Sequence, residues 1–365
     1  MARLDRIEIA GYRSIRALEL ELNALNILIG ANGSGKSNLI GALGLLGDLV
    51  DRRLQVHVAR QGGANALMHF GQKRTKQLRI SARLGEIEYE VELEPGARDT
   101  LGFASERAFI GLDESASEGE DFVRLRREYK ESGLEDVATE RPNGPSSQVL
   151  KAMRGWRVFQ FHDTSATAEI KLKRSIQDNR TLRSNGGNLA ALLHGLRQGA
   201  TKCYREIVDT IRAIAPFFDD FVLGPDVANP DMIQLEWRHR TDPSYFGAHS
   251  LSDGTLRFMC LATLLLQPAK PSLIVIDEPE LGLHPATLVQ LAELLQVVSR
   301  ESQIIIATQS VTLLDQFAAE DVIVVERDND ESTFRRLAAE QLRGWLEDYS
   351  LGDLWLKNVL GGRPE

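Results

Sequence analysis

Residues 30 to 37, "GANGSGKS", constrain this chain more than any other stretch. They stand between the apolar run "LNILI", which reads as a buried strand, and "KSNLIGALGLLGDLV", whose apolar spacing reads as a helix. The pattern G-x-x-x-x-G-K-[ST] is met by Gly30, Gly35, Lys36 and Ser37 in the strand–loop–helix setting it requires. Glycines let backbone N–H groups converge on phosphate oxygens, and the helix N-terminus adds partial positive charge. Lys36 can then reach the outer phosphates and Ser37 can ligate Mg²⁺. The expected phosphate-contact set is Gly30, Asn32, Gly33, Ser34, Gly35, Lys36, Ser37 and Asn38. A glycine-rich turn with a chance Lys-Ser would not need this placement.

Such a loop needs a metal-ordering carboxylate and a group that activates water. "LIVIDEPE" offers both, because a strand from Leu273 to Ile276 delivers Asp277 and Glu278 at its carboxyl end, where open parallel sheets bind ligands. Asp277 would hold Mg²⁺ and Glu278 would polarise the attacking water. Taken alone, the pair also reads as a helix cap and first-turn acid. The near-continuous apolar runs of "SLIVIDEP" and "QIIIATQS" suit strands buried on both faces of a parallel sheet, and "PATLVQLAELLQVVSR" between them is a helix.

Elsewhere the periodicities predict a strand, a turn at Gly11 and a second strand across "LDRIEIAGYRSIRALELEL", and an antiparallel pair in "QLRISARLGEIEYEVELEP". Two helices broken near Gly199 are predicted for "NLAALLHGLRQGATKCYREIVDTIRAIAPFF", and "RPNGPSS" reads as a turn or short linker. Composition is that of a soluble globular protein, with 43% hydrophobic and 26% charged residues. Two cysteines, Cys203 and Cys260, lack metal-ligand spacing and predict neither disulfide framework nor zinc site. No apolar segment approaches the ~20 residues that span a bilayer, so a cytoplasmic protein is expected. Net charge is −9, so affinity for nucleic acid would need a local patch. One candidate is Arg52 to Arg83, with eight Lys or Arg and no acid; "DESASEGED", Asp113 to Asp121, is oppositely biased and reads as a solvated loop.

Three further stretches give a family resemblance. "SLSDGTLRFMCLATLLL" resembles the signature motif of ABC-type ATPases: Ser252 and Gly254 match its serine and second glycine, while Asp253 and Thr255 replace its first glycine and glutamine. "ELGLHP" is similar to the family's D-loop, with His284 where Asp is common, and "IIIATQS" to its switch strand, with Gln309 in place of His. The variants resemble the chromosome-maintenance and RecF-like branch of AAA-type ATPases more than transporters, and 216 positions from Lys36 to Ser252 (252 − 36) mark a compact member without long coiled coil. ATPase components of bacterial anti-phage defence systems and the overcoming-lysogenization-defect family are also similar.

The resemblance implies a single ABC-type α/β domain in two lobes. An N-terminal lobe (1–175) holds the loop and an antiparallel sheet beside a mainly parallel core sheet. A helical insert (176–249), the signature and switch region (250–330) and a C-terminal helical tail (331–365) follow. It further implies ATP and Mg²⁺ as cofactors, hydrolysis with Glu278, Gln309 and Lys36 as catalytic residues, and Ser37 and Asp277 as metal ligands. Gln160 falls where the family's Q-loop glutamine contacts metal and nucleotide, although an outward position on the strand "RVFQFH" is equally compatible. Ser252, Asp253 and Gly254 would face the nucleotide of a second copy in a homodimer or higher homo-oligomer. Tyr12 and Arg13 are open between adenine packing and a core or turn role. Since the chain shows no other catalytic constellation, a separate effector, a nuclease, is the expected partner, with DNA or RNA contacting the basic run. "LAAEQLRGWLEDYSLGDLWLKNVLGG" is apolar enough either to dock that partner or to cover the protein's own core.

Overall fold

Leu25–Ile29, the strand that delivers the glycine loop, is buried at every position. It lies at the centre of a six-stranded sheet whose order is Glu331–Arg336, Val322–Asp328, Leu25–Ile29, Gln303–Ala307, Leu273–Asp277 and Arg157–Phe159. Every pairing is parallel except the first, a hairpin of the two strands at one edge. The apolar runs of its middle strands divide with period two between two cores. Leu28, Val275 and Ile305 face one cluster, while Ile27, Ile274, Ile276, Ile304 and Ile306 face the other. The computed structural model describes residues 3–111, the backbone of 122–125, and 130–363.

The first cluster is closed by helix Lys36–Val50, through Leu39, Leu43 and Leu46, and by a second six-stranded sheet, all antiparallel, which includes Arg6–Tyr12, Ile15–Glu21, Leu78–Leu84 and Ile87–Pro95. The other is closed by Leu189–Gly199, Thr201–Ile214, Asp253–Leu266 and Pro285–Val298. Truncating a fully buried leucine such as Leu46 or Leu291 to alanine should remove about 2–5 kcal/mol. The longest helix among the described residues has 15 residues, so there is no long coiled coil among them.

Several local expectations change. The first turn falls at Arg13 and Ser14, and Gly11 lies inside strand Arg6–Tyr12, where a Cβ would sit 2.6 Å from the Gln77 carbonyl oxygen. Its glycine serves a close approach rather than a turn. In "RPNGPSS" only the first half is a turn; Pro145 opens helix Pro145–Met153, the position where its missing N–H is harmless. After the two predicted helices the chain forms a three-stranded sheet of Phe218–Val222, Glu236–His239 and Tyr245–Gly247, whose strands are too short to show a period. The run Arg52 to Arg83 is not uncompensated: Arg52 pairs with Asp136, Arg53 with Asp48 and Asp51, and Arg79 with Glu90. Those acids come from outside the run. The acidic stretch Asp113 to Asp121 lies outside the described residues.

Tyr12 is fully buried, its hydroxyl against Gly41, and burial pushes its phenol up to about 12, so it belongs to the core. The tail forms two short helices, Ala339–Leu342 and Leu351–Leu356, the second started by a capping box of Ser350 and Asp353. Leu342, Leu351, Leu354 and Trp355 are buried in the protein's own core. Trp345, Leu346 and Leu356 are exposed.

Candidate functional site

The loop is shaped by close approach from below. Gly30 has φ of 156° and a Cβ there would lie 2.2 Å from the Val325 carbonyl oxygen; Gly35 has φ of 116° and a Cβ would lie 2.0 Å from Ser332 Oγ. Only glycine fits either place. Beneath the loop a hydroxyl network holds it. Ser332 Oγ donates to the Ser34 carbonyl at 2.6 Å and meets Ser14 Oγ at 2.6 Å, and the Asn38 amide donates to Ser14 Oγ. The Asn38 side chain thus braces the loop from behind, with Ser14 as its partner. Ser34 Oγ is buried without a partner. A cavity of about 670 Å³ lies beside the loop, between Asn32, Gly33 and Ser34 and the end of strand Val322–Asp328, lined also by Arg327 and Arg363.

Lys36 is buried and folds back over this loop, its Nζ donating to the carbonyls of Gly30 at 2.6 Å and Ala31 at 3.0 Å. Burial pushes its pKa down, and the carboxylates of Glu278, Asp277 and Glu280 push it back up. Asp277 ends strand Leu273–Asp277, with the Ser37 hydroxyl close enough to lower its pKa. Burial, then the charge of Glu278, raises its pKa, against the opposing pull of His162, Ser37 and Lys36. The next residue, Glu278, sits in the left-handed region with φ of 46° and donates its N–H to the Ala307 carbonyl, which anchors it to the neighbouring strand. Gln309 follows that strand, and its Nε2 donates to Glu278 Oε1 at 2.7 Å. Lys36, Ser37, Asp277, Glu278 and Gln309 therefore converge at the carboxyl ends of three adjacent strands.

This set fits a nucleotide with its cation. Gly30 and Gly35 let the loop pass over Val325 and Ser332 where a side chain would clash, and Ser37 and Asp277 bring a hydroxyl and a carboxylate near each other. Among the described residues no group of three or more His, Cys, Asp or Glu could hold a metal ion. A cation would therefore take its remaining ligands from phosphate oxygens and water, the usual habit of Mg²⁺.

Gln160 is less closely joined. The strand stops at Phe159, which pairs with Ile276, so Gln160 stands level with Asp277 across the sheet edge. Its side chain is exposed, and no hydrogen bond joins it to Ser37 or Asp277. Ser252 is exposed and caps helix Asp253–Leu266, its Oγ accepting from Thr255 N–H at 3.2 Å. Asp253 is exposed in the first turn of that helix. Gly254 packs on the segment after Glu280, where a Cβ would lie 2.1 Å from the Gly282 carbonyl oxygen. No hydrogen bond or ion pair among the described residues connects Ser252 or Asp253 to the chain's own loop. His284 caps Pro285–Val298 by accepting from Ala286 N–H.

Two residues were missed. Arg257 donates to the carbonyls of Phe161 at 3.1 Å, His162 at 2.9 Å and Leu281 at 3.0 Å, tying the Gln160 loop to the segment after Glu280. A lone charge inside the apolar run "LRFMCLATLLL" was the available signal. Glu280 Oε1 accepts from the Gln309 backbone N–H at 2.6 Å. Its position three residues after Asp277 carries no signal of that contact.

A family profile described as "AAA domain, putative AbiEii toxin, Type IV TA system" matches residues 25–315. The DNA replication and repair protein RecF of Acidothermus cellulolyticus is 35% identical over 176 residues, 43% of this chain and 44% of that protein. A putative ABC transporter ATP-binding protein of Methanosarcina acetivorans is 32% identical over 118 residues, 30% of this chain and 42% of that protein. The chain thus spans less than half the length of these two relatives. Among solved structures, an Smc head bound to the C-winged helix domain of ScpA superposes with a TM-score of 0.62 at 17% identity, covering 93% of this chain and 99% of that one. The Pyrococcus furiosus Smc head with an extended coiled coil gives 0.59 at 15% identity, covering 95% and 99%. The fold is that of ABC-type ATPase heads.

Proposed function

Because the chain belongs to this AAA-domain family of ABC-type ATPases, we propose that it is an ATP-driven switch in which two copies enclose two ATP molecules and separate on hydrolysis. The observation that carries the reading is the convergence of Lys36, Ser37, Asp277, Glu278 and Gln309 at the carboxyl ends of three adjacent strands, with Gln309 Nε2 donating to Glu278 Oε1 at 2.7 Å. Backbone N–H groups from Gly30 to Ser37, with Asn32, Gly33, Ser34 and Gly35 between them, receive the phosphates. Lys36 exchanges its carbonyl partners for phosphate oxygens. Ser37 and Asp277 would hold Mg²⁺, with Gln160 swinging in, and the ion would neutralise phosphate charge. Glu278 takes the proton of the attacking water, and Gln309 orients both by hydrogen bonding without itself carrying charge. The exposed Ser252, Asp253 and Gly254 are aimed at the second copy's nucleotide. Light scattering of Glu278→Gln tests this: with ATP and Mg²⁺ the mass should double, and a constant monomer mass at micromolar protein would remove the enclosed-ATP dimer.

The output of the switch is proposed to be a separately encoded nuclease of an anti-phage defence system, restrained or released by nucleotide state; the toxin–antitoxin description of the matching family supports that setting. A second reading, a stand-alone ATPase of DNA recombination or repair, is favoured by the similarity to RecF. An energy subunit of a transporter fits less well, given the long segment between Lys36 and Ser252. Co-purification with the product of the neighbouring gene, with ATP and without nucleotide, separates the first two: recovery of a nuclease supports the first, and an active ATPase that recovers no partner supports the second. Nucleic acid would reach the exposed Arg60, Lys73, Arg74 and Lys76, which make no ion pairs among the described residues, with the half-exposed ring of Phe70 under Arg74.

A further inference from the structure

Glu280 has no part in the chemistry just described, yet three observations converge on it. Its Oε1 accepts from the backbone N–H of Gln309 at 2.6 Å, while the Gln309 side chain donates to Glu278 at 2.7 Å. Its Oε2 is buried without a partner, an arrangement that carries a desolvation penalty and persists only where the surroundings enforce it. Burial pushes the carboxyl upward, against the hydrogen bond it accepts from the Gln309 N–H. The following residues are clamped to the signature helix Asp253–Leu266: Arg257 donates to the Leu281 carbonyl at 3.0 Å, and Gly254 lies so close to Gly282 that a Cβ would overlap its carbonyl oxygen.

We propose that Glu280 is a positioning residue that holds Gln309 against Glu278 and makes that hold depend on where the signature helix lies. This rests on the ATP-switch reading. Leu281 and Gly282 cannot slide past Gly254, since close-packed contacts transmit displacement rather than absorb it. A shift of the helix when a second copy engages Ser252 therefore moves Glu280, and with it the Gln309 N–H. The candidate base is thus aligned only when the helix is in place. A carboxylate serving merely to tie down the end of strand Gln303–Ala307 would not need that link.

Two variants and two readouts test the assignment. Glu280→Ala removes the acceptor, whereas Glu280→Gln keeps an oxygen for the Gln309 N–H. In nucleotide-free protein, hydrogen–deuterium exchange at the Gln309 amide should rise about tenfold in E280A, the worth of one charge-assisted hydrogen bond, and stay near wild type in E280Q. With ATP and Mg²⁺, kcat should fall about ten- to a hundredfold in E280A with unchanged ATP affinity, and E280Q should recover most of it. Unchanged exchange in E280A, or equal kcat losses in both variants, would overturn the proposal. A wild-type protein that binds but does not hydrolyse ATP would instead remove the ATP-switch reading, while the exchange data would still judge the hold on Gln309.

Discussion

Around the phosphate loop, polar side chains are bound within the same chain: Lys36 to the Gly30 carbonyl, Gln309 to Glu278, Glu280 to the Gln309 N–H and Ser332 to Ser34. At the signature motif the opposite holds, for Ser252 does no more than cap its own helix and Asp253 faces solvent. One region is preorganised before any ligand arrives, which lowers the reorganisation needed at reaction. The other has a defined conformation and no partner. On the proposed reading the chain carries two halves of a site that meet only between copies.

The largest way to break that comparison is at the preorganised half. Glu278→Gln should leave ATP affinity within a few fold of wild type and lower kcat by about 10³-fold or more, since base and water position are lost while the cradle stays. Loss of ATP binding in this variant, read by calorimetry, would mean that Glu278 shapes the cradle itself. Lys36→Ala should abolish nucleotide binding outright.

At the unpartnered half, Ser252→Arg should lower turnover by about 10²-fold, comparable to removing one preorganised donor, with ATP still bound by each monomer. A loss of binding equal to that of Lys36→Ala would show that Ser252 acts in its own chain. Between these in size stands the loop's backbone: Gly35→Ala must adopt φ of 116° and meet Ser332 Oγ, and should destabilise the nucleotide-free protein by about 2–3 kcal/mol in urea unfolding.

How much of this was legible in the sequence follows the same division. The loop, Asp277, Glu278 and the parallel strands announce themselves because their chemistry is local: a glycine spacing, an apolar run and the charge at its end. Arg257, Glu280, Ser14 and Ser332 are silent because each acts through a contact set by topology. Ser14 and Ser332 are 318 positions apart and their hydroxyls meet at 2.6 Å. Part of the basic run is neutralised for that reason too, since Asp136 and Glu90 reach Arg52 and Arg79 only once the sheets assemble. Asn38 matched by position, but the hydroxyl of Ser14 behind it was not visible in the chain order.

Smaller effects sharpen the account at its edges. Replacing Lys73, Arg74 and Lys76 with Glu should weaken nucleic-acid binding by about tenfold or more at moderate salt and flatten its salt dependence. Equal affinity for wild type and variant in fluorescence anisotropy would dismiss the patch. Least of all, Ser332→Ala should reduce stability by about 1 kcal/mol, with a weaker hold on Ser34 that shows as faster amide exchange in residues 31–35.

The central claim, that Ser252 completes a site on another copy, is tested most directly by mixing Lys36→Ala with Ser252→Arg. Neither variant alone should turn over ATP at an appreciable rate, the first for want of a cradle and the second for want of the facing motif. In a mixed dimer, one interface pairs an intact loop with an intact Ser252, so ATPase activity should return toward one working site per heterodimer and scale with the fraction of mixed pairs. No recovery at any mixing ratio, with both proteins folded and the Ser252→Arg chain still binding ATP, would contradict the account.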